Sequence, residues 1–279
     1  MPEPTPPDIE LFNPDGRAPV LVLCDHAGKR VPARLGQLGI SDEALSRHIG
    51  WDIGAADMTR RLARLLDAPA LLCHVSRLVI DPNRRPVSAS SIPDISDGCV
   101  VPANQHLDAA EVRRRIFEHF LPYHRAVGRR LGAFRQAGIV PAVVAVHSFT
   151  PHMNGYDRPW QVGVLWRGDR RLADPALAWL RARGDLVVGD NQPYSGLSDF
   201  GFTVTFHAQR TRLPHIMFEV RQDEIATRAT AERYADLLHG SIREPLADPG
   251  LYRLFRGHNL EGTGRPLAWR HAGLVPARP

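Results

Sequence analysis

The sequence predicts an α/β protein with a mostly parallel central sheet. Runs of aliphatic and β-branched residues without polar alternation lie at residues 19–24, 70–75 and 143–146, a pattern typical of strands buried on both faces. Apolar residues at helical spacing follow in the intervals between these runs. Strands that alternate with helices normally pair in parallel. With 279 residues, the chain is long enough to bury a sizeable core.

A single domain with two flanking segments is the predicted organisation. Residues 1–17 are expected to form an irregular N-terminal tail, because prolines interrupt regular structure there. Residues 18–244 form one α/β domain. Residues 245–279 contain many Pro, Gly and Arg residues and are expected to form a peripheral C-terminal extension.

Within the domain, local patterns predict the remaining elements in order. Ser41 and Asp42 favour the start of a short helix over residues 42–47. Longer amphipathic helices are predicted over residues 54–66, 108–137, 174–183 and 227–242. Further strands are predicted over residues 160–166, 185–188 and 214–223, with a loosely alternating edge strand over residues 202–207.

Composition narrows the classes of partner and the compartment. The formal net charge is +5, but the basic residues are scattered or lie on predicted helix faces, so a nucleic-acid partner is not expected. Excess positive charge favours a small anionic substrate. Three widely spaced cysteines, without a CxxC pair, indicate reduced thiols and a cytoplasmic protein. No apolar run reaches membrane-spanning length.

Two histidines stand at the ends of predicted buried strands. His26 follows the first strand directly after Asp25, and His147 follows the run at residues 143–146, where Pro151 prevents simple continuation. In open α/β sheets, ligands bind at the carboxyl ends of the strands. Either histidine alone is as consistent with hydrogen bonding to a loop as with a functional role.

Two carboxylates and a basic segment complete the set of candidate residues. Asp52 stands where a helix begins, as either an N-cap or a metal ligand. Glu219 lies inside an apolar strand, where a carboxylate is costly unless it is paired, for example with Arg221, or functional. Two imidazoles and a carboxylate form a catalytic zinc site, and a further carboxylate can act as general base. Two arginines and an asparagine follow another strand and suit a substrate carboxylate: Arg77, Asn83 and Arg84.

Several longer segments resemble those of the N-formylglutamate amidohydrolase family: DHAGKRVP, HIGWDIGA, SRLVIDPNR, IPDISDG, VHSFTP, RPWQVGVLW, NQPYSG and FEVRQDEI. The resemblance implies a three-layer α/β/α sandwich with a mixed, mostly parallel sheet, similar to zinc carboxypeptidases and succinylglutamate desuccinylases. It also implies one zinc ion. The sequence departs from the carboxypeptidase pattern three residues after His26, where Lys29 cannot be the carboxylate ligand. Asp52 is the predicted substitute and Asp25 the alternative.

The resemblance implies hydrolysis of N-formyl-L-glutamate to formate and L-glutamate, a late step of histidine breakdown. Zinc on His26, His147 and Asp52 would activate water, with Glu219 as general base. Arg84, with Asn83 and Arg77, would bind the substrate carboxylates. His207 and Tyr194 are additional pocket candidates that can equally be packing residues. The alternatives are a hydrolase of another N-acyl amino acid or short peptide, and a non-catalytic binder of an acidic metabolite. The sequence leaves the oligomeric state open.

Overall fold

A mixed sheet of seven strands forms the centre of the protein. The computed structural model describes residues 8–196 and 201–257. The strands of the described chain are β1 Ile9–Phe12, β2 Val20–Cys24, β3 Ala70–Cys73, β4 Ile95–Ser96, β5 Cys99–Val100, β6 Ala142–Phe149, β7 His152–Met153, β8 Tyr156–Asp157, β9 Val162–Leu165, β10 Val188–Asp190 and β11 His215–Arg221. The order in the large sheet is β1-β3-β2-β6-β11-β9-β10, and the other four strands form two small hairpins.

Four of the six strand pairs in the large sheet are parallel. β3, β2, β6 and β11 run parallel to one another, and β9 pairs with β10 in parallel. The pairs β1–β3 and β9–β11 are antiparallel. The four residues of β3, the five of β2 and the eight of β6 are all buried, as their lack of polar alternation predicted. The prediction of a mixed, mostly parallel sheet is confirmed.

Helices cover both faces of the sheet. They are α1 Asp42–Ser46, α2 Ala55–Leu66, α3 Ala109–Arg115, α4 Leu121–Gln136, α5 Ala173–Ala182, α6 Phe202–Val204 and α7 Arg228–Ala247. One core cluster packs α2, α5 and α7 against one face. A second cluster packs α4 and the segments around α1 and α6 against the other face. The architecture is therefore the three-layer α/β/α sandwich that was predicted. Among these described helices, none has both the length and the apolar character needed to cross a membrane.

Two predicted elements and the predicted position of one residue are wrong. Residues 9–12 belong to the sheet as β1, because Ile9 to Phe12 pair with Cys73 to Ala70 despite the surrounding prolines. Residues 202–207 are helical rather than an edge strand: α6 continues into a π-helical turn over Thr205–Gln209. His147 lies inside β6 and not beyond its end.

The predicted boundary after residue 244 falls inside α7, which continues to Ala247. Arg171 holds the following segment, because its Nη1 donates hydrogen bonds to the carbonyl oxygens of Leu251 and Arg253. Leu251 is buried in the core. Residues 245–257 therefore pack on the domain, and residues 258–279 of the predicted extension lie outside the described residues.

Candidate active site

Sheet register brings three predicted site residues together. His26 lies two residues beyond the end of β2, while His147 and Glu219 lie inside the neighbouring parallel strands β6 and β11. In that pairing, Glu219 is directly opposite His147. On its other side, Glu219 faces Gly163 of β9. Polar side chains in these central strands are tolerated because they converge on a shared cleft.

Asp52 lies between the two histidines. Its Oδ2 is 2.9 Å from Nδ1 of His147 and 3.3 Å from Nδ1 of His26. The Asp52 backbone N–H donates to the carbonyl oxygen of His26, and the Ser148 N–H donates to Oδ2 of Asp52. The N-cap of α2 is Gly54, so Asp52 is not the helix cap. Its carboxylate points into the site instead.

The outer nitrogen of each imidazole faces a further buried carboxylate. Nε2 of His26 lies 2.7 Å from Oδ1 of Asp81, and Nε2 of His147 lies 3.3 Å from Oδ2 of Asp25. Metal-binding histidines usually donate their second N–H to such a group. Asp25, the alternative ligand, therefore stands behind His147, on the side away from Asp52.

The same surroundings shift the pKa values of the two histidines in opposite directions. Burial, aided by the positive charge of Arg77, lowers the pKa of His26 to about 4. Burial also lowers the pKa of His147, but Asp25 and Glu219 outweigh it, and the net pKa is raised. His26 is thus a neutral imidazole near pH 7, the form in which a histidine binds metal.

Arg77 contacts Asp52 rather than open solvent. Its Nη2 donates to Oδ1 of Asp52, and its buried Nε has no hydrogen-bond partner among the described residues. Arg77 also lines the cleft. One part of the Arg77 guanidinium therefore holds the Asp52 carboxylate. Binding of a substrate carboxylate by Arg77 stays a prediction.

Glu219 is a buried carboxylate without a full set of partners. The residue is 6% exposed, and Oε2 has no hydrogen-bond partner in the described chain. Burial raises the pKa of the Glu219 carboxyl, and the charges of His147 and Arg77 lower it only partly. The alternative of an ion pair with Arg221 is not what the structure shows, because Arg221 pairs with Asp223 and Glu224.

One cleft of about 410 Å³ collects these groups. The predicted site residues on its wall are His26, Asp52, Arg77, Asn83, Arg84, His147, Tyr194 and Glu219. A second cleft of about 350 Å³ shares Leu165 and Met217 with the first and is lined partly by apolar side chains. The ionisable residues make the first cleft the candidate active site.

The loop with Asn83 and Arg84 is fixed by hydrogen bonds to α6. Oδ1 of Asn83 accepts from the N–H of Thr203, and its carbonyl oxygen accepts from the N–H of Phe202. Nε of Arg84 lies 3.8 Å from Oδ2 of Asp81. Asn83 thus shapes the loop, and Arg84 supplies a cationic group to the cleft wall.

Tyr194 reaches the cleft because the backbone of its loop can approach β9 closely at Gly163. A Cβ atom on Gly163 would lie 2.0 Å from the carbonyl oxygen of Gln192. The hydroxyl of Tyr194 accepts a 3.0 Å hydrogen bond from Nη1 of Arg158. The loop over residues 191–196 therefore forms a wall next to Glu219.

His207 does not line this cleft. It stacks on His124, with ring centroids 5.2 Å apart, and its Nε2 lies 2.9 Å from Nδ1 of His124. Nε2 of His124 contacts the carbonyl oxygen of Pro82 at 3.0 Å. The structure therefore does not bring His207 together with the other predicted site residues. The pair packs beneath the loop that carries Asn83.

Sequence reasoning did not select Asp81 or Tyr123. Asp81 stands two residues before Asn83 in the segment SRLVIDPNR, directly after an apolar triplet, and this was a usable signal. Tyr123 is buried in α4 and donates to Asp25, 98 residues earlier in the chain. No local pattern reports such a contact.

The donor set fits a metal ion. Ligand atoms of His26, Asp52 and His147 lie within 4.8 Å of one another, and all three residues are buried. Two imidazole nitrogens and one carboxylate oxygen are the ligands of many catalytic zinc sites. Within the described ranges, this is the group of histidine, cysteine and acidic residues that has such geometry.

Together, the fold and the cleft define an α/β protein with a buried site suited to metal-assisted hydrolysis. A family model for N-formylglutamate amidohydrolase matches residues 18–226. The chain therefore belongs to the N-formylglutamate amidohydrolase family, as its motifs predicted, and this membership supports amidohydrolase activity.

Two solved structures are similar over most of their length. The gene product Atu2144 of Agrobacterium tumefaciens is 34% identical, with a TM-score of 0.83, over 86% of this chain and 95% of that one. N-formylglutamate amidohydrolase of Ralstonia eutropha JMP134 is 22% identical, with a TM-score of 0.63, over 85% and 97% of the two chains. The second likeness shows the shared fold. A comparison with curated proteins gave no match.

Proposed function

We propose that the protein is a zinc-dependent amidohydrolase that cleaves N-formyl-L-glutamate to formate and L-glutamate. The observation that carries the proposal is a single cleft in which Oε2 of Glu219, without a hydrogen-bond partner among the described residues, stands beside the His26–Asp52–His147 cluster. Family membership supports the reaction class. As the sequence resemblance implies, the reaction would be a cytoplasmic step of histidine breakdown.

His26, His147 and Asp52 would hold the ion. Zinc at this position would supply Lewis acidity towards an amide carbonyl and a water molecule. Nδ1 of each histidine already faces the Asp52 carboxylate, and Asp81 and Asp25 face the outer nitrogens. The ligand side chains are thus oriented by the protein itself.

Glu219 would move the proton. Its raised pKa brings the carboxyl closer to operating pH, where a general base is most effective. The carboxylate would accept a proton from the attacking water and deliver it to the amine of the leaving glutamate. An Oε2 atom without a hydrogen-bond partner in the described chain is consistent with this task.

Arg84 would bind a carboxylate of the substrate. Its guanidinium lines the cleft together with Asn83, and a planar guanidinium can form two parallel hydrogen bonds with a carboxylate. The substrate amide would then lie between this cation and Glu219. An acidic N-acyl amino acid matches the charge of such a cleft.

The proposal is tested by hydrolysis assays on purified protein whose metal content is measured. We expect about one zinc per chain, release of formate from N-formyl-L-glutamate, loss of activity on chelation, and recovery with added zinc. N-formyl-L-alanine is the matched control, because it lacks the side-chain carboxylate. Equal turnover of both compounds would refute the assigned specificity, and full activity without metal would refute the mechanism.

The adjoining cleft favours one alternative substrate. It shares Leu165 and Met217 with the catalytic cleft, so an acyl group longer than formyl would extend towards it. Faster release of N-acetyl, N-succinyl or peptidyl groups in the same assay would favour this alternative. A protein that binds N-formylglutamate without hydrolysing it, even with zinc, would instead be a non-catalytic binder of acidic metabolites.

A further inference from the structure

A second buried carboxylate lies behind His147 and is not part of the proposed ligand set. Asp25 is fully buried, and its Oδ2 lies 3.3 Å from Nε2 of His147. Both atoms are buried and neither forms a hydrogen bond with a described residue, so the two face each other across this distance. The other oxygen, Oδ1, accepts a 2.7 Å hydrogen bond from the hydroxyl of Tyr123. Tyr123, Asp25 and His147 therefore form a continuous polar chain that ends at Asp52.

This chain crosses from one layer of the sandwich to the sheet. Tyr123 lies in α4 and is fully buried in the core on that face, whereas Asp25 follows β2 and His147 lies in β6. A carboxylate in such a place is costly unless donors surround it. Here the Tyr123 hydroxyl donates to Oδ1, and the imidazole of His147 faces Oδ2 from a different element. The position of Asp25 is therefore fixed from both sides.

Geometry determines which way the contacts run. Oδ1 of Asp25 accepts a hydrogen bond from the Tyr123 hydroxyl, and a carboxylate offers acceptors to its neighbours. A metal-binding histidine usually donates its second N–H to such a carboxylate. Nε2 of His147 is therefore the nitrogen that would carry a proton towards Asp25. The remaining nitrogen, Nδ1, is left to face Oδ2 of Asp52 at 2.9 Å.

His26 provides an internal comparison. Its Nε2 faces Asp81 at 2.7 Å and its Nδ1 faces the same oxygen of Asp52. Both imidazoles thus have one carboxylate on the outer nitrogen and share an inner one. The difference is that Asp25 is itself held by a tyrosine. A ligand carboxylate would need an oxygen in the space between the two Nδ1 atoms, and that position belongs to Asp52.

We propose that Asp25, held by Tyr123, is a positioning residue for His147 and not a metal ligand. It fixes the tautomer and the ring orientation of His147, so that Nδ1 presents its lone pair to the metal. The inference rests on the proposed function, because it presumes a zinc ion between His26, Asp52 and His147. It extends that function by naming what sets the affinity of the site.

The test compares zinc affinity in two variants with that in two matched controls. Asp25→Asn and Tyr123→Phe remove the carboxylate charge and the hydroxyl that holds it. Asp169→Asn replaces another buried aspartate, which pairs with Arg171, and Tyr234→Phe removes a buried hydroxyl that donates to Glu224 at 2.7 Å. Neither control residue lines the catalytic cleft. Zinc dissociation constants are measured by competition with a chelator, and folding by thermal unfolding of the zinc-free proteins.

We expect Asp25→Asn to weaken zinc binding by about 10–100-fold, the usual effect of removing such an outer partner. Tyr123→Phe should weaken it less, by under about tenfold, because the carboxylate remains. The controls should bind zinc like the wild type. In the proton NMR spectrum of the zinc-loaded wild type, we expect a protected Nε2–H signal from His147 that is lost in Asp25→Asn. A residue with only a structural role would not change that signal.

The outcomes separate the inference from the proposed function. Wild-type zinc affinity in folded Asp25→Asn overturns the positioning role. Complete loss of zinc in that folded variant, equal to the loss in His147→Ala, makes Asp25 a ligand and also overturns it. If Asp25→Asn does not fold, Tyr123→Phe decides, and unchanged affinity with an unchanged Nε2–H signal overturns the inference. A wild-type protein that binds no zinc overturns the proposed function and this inference with it.

Discussion

Replacement of Glu219 by glutamine is the sharpest test of the proposed chemistry. The amide is nearly isosteric with the carboxyl group but cannot accept the proton. Oε2 of Glu219 has no hydrogen-bond partner in the described chain, so at most about one ordinary hydrogen bond, near 1 kcal/mol, is at risk in folding. Removal of a buried, charge-bearing group offsets part of that loss. We therefore expect the variant to fold and to unfold at nearly the wild-type temperature.

The expected effect on turnover is much larger. A positioned general base contributes about 10²–10⁴-fold to rate, which corresponds to roughly 3–5 kcal/mol of activation free energy. Zinc binding should persist, because the group that suits the metal is His26, Asp52 and His147. Substrate affinity should change little, because Arg84 is untouched. The loss should therefore fall on kcat.

Three measurements on the one variant check this expectation: zinc content, the dissociation constant of N-formyl-L-glutamate, and kcat. Glu224→Gln is the matched control, because Glu224 follows the same strand but binds Tyr234 and Arg221 outside the cleft. A kcat within about threefold of the wild type would contradict the 10²-fold minimum expected of a general base. Loss of zinc would instead make Glu219 a ligand.

Four further predictions follow from individual contacts. Arg84→Lys should raise KM for N-formyl-L-glutamate by about tenfold with zinc content unchanged, because lysine lacks the planar fork; steady-state kinetics check this. Arg77→Met should weaken zinc binding by about 10–100-fold, since Arg77 holds Asp52; chelator competition measures it. Burial lowers the pKa of His124 to about 4, below its unfolded value. The free energy of unfolding should therefore fall as pH drops below 6.5 towards 4, by roughly 2 kcal/mol between pH 7 and 5. Urea unfolding should show that His124→Phe removes this contribution to the pH dependence. Gly163→Ala should lower kcat/KM at unchanged zinc content, because its Cβ would lie 2.0 Å from the carbonyl oxygen of Gln192, whereas Gly132→Ala, with open space around its Cβ, should match the wild type.

Patterns in the sequence were sufficient to predict the central sheet and most helices, because buried elements have a characteristic pattern of apolar residues over a short stretch. The aliphatic runs in β2, β3 and β6 have no polar alternation, and these strands are buried along their whole length. The start of α1 could be read in the same way, since Ser41 accepts a hydrogen bond from the N–H of Ala44. Such features depend on neighbours within a few residues.

The wrong elements depend on distant partners. β1 has only four residues, next to several prolines, and exists because β3 offers a free edge some sixty residues later. α6 contains β-branched residues, yet it is helical where its first N–H groups bind Asn83, about 120 residues away. A local pattern cannot register contacts at these separations, so tertiary structure overrides propensity here.

For the candidate site as well, the sequence predicted local features but not long-range contacts. Residue type and position relative to strand ends were enough to select His26, His147, Asp52 and Glu219, because imidazoles and carboxylates in apolar strands are costly without a purpose. The sequence could not predict which imidazole nitrogen faces which carboxylate. Asp25 and Asp52 are equally acidic in the sequence, and only the structure places one behind the imidazole and the other between the two.

The geometry also explains why the site needs this particular strand order. Glu219 gains His147 as a neighbour because β11 pairs in parallel with β6, and it gains Gly163 because β9 runs antiparallel on its other side. A shift of one residue in either pairing would turn the Glu219 side chain to the opposite face of the sheet relative to its partners. The absence of a side chain at Gly163 then admits the loop that carries Tyr194. The Glu219 carboxylate is therefore positioned by backbone register, and the shape of the cleft beside it depends on the small residue Gly163.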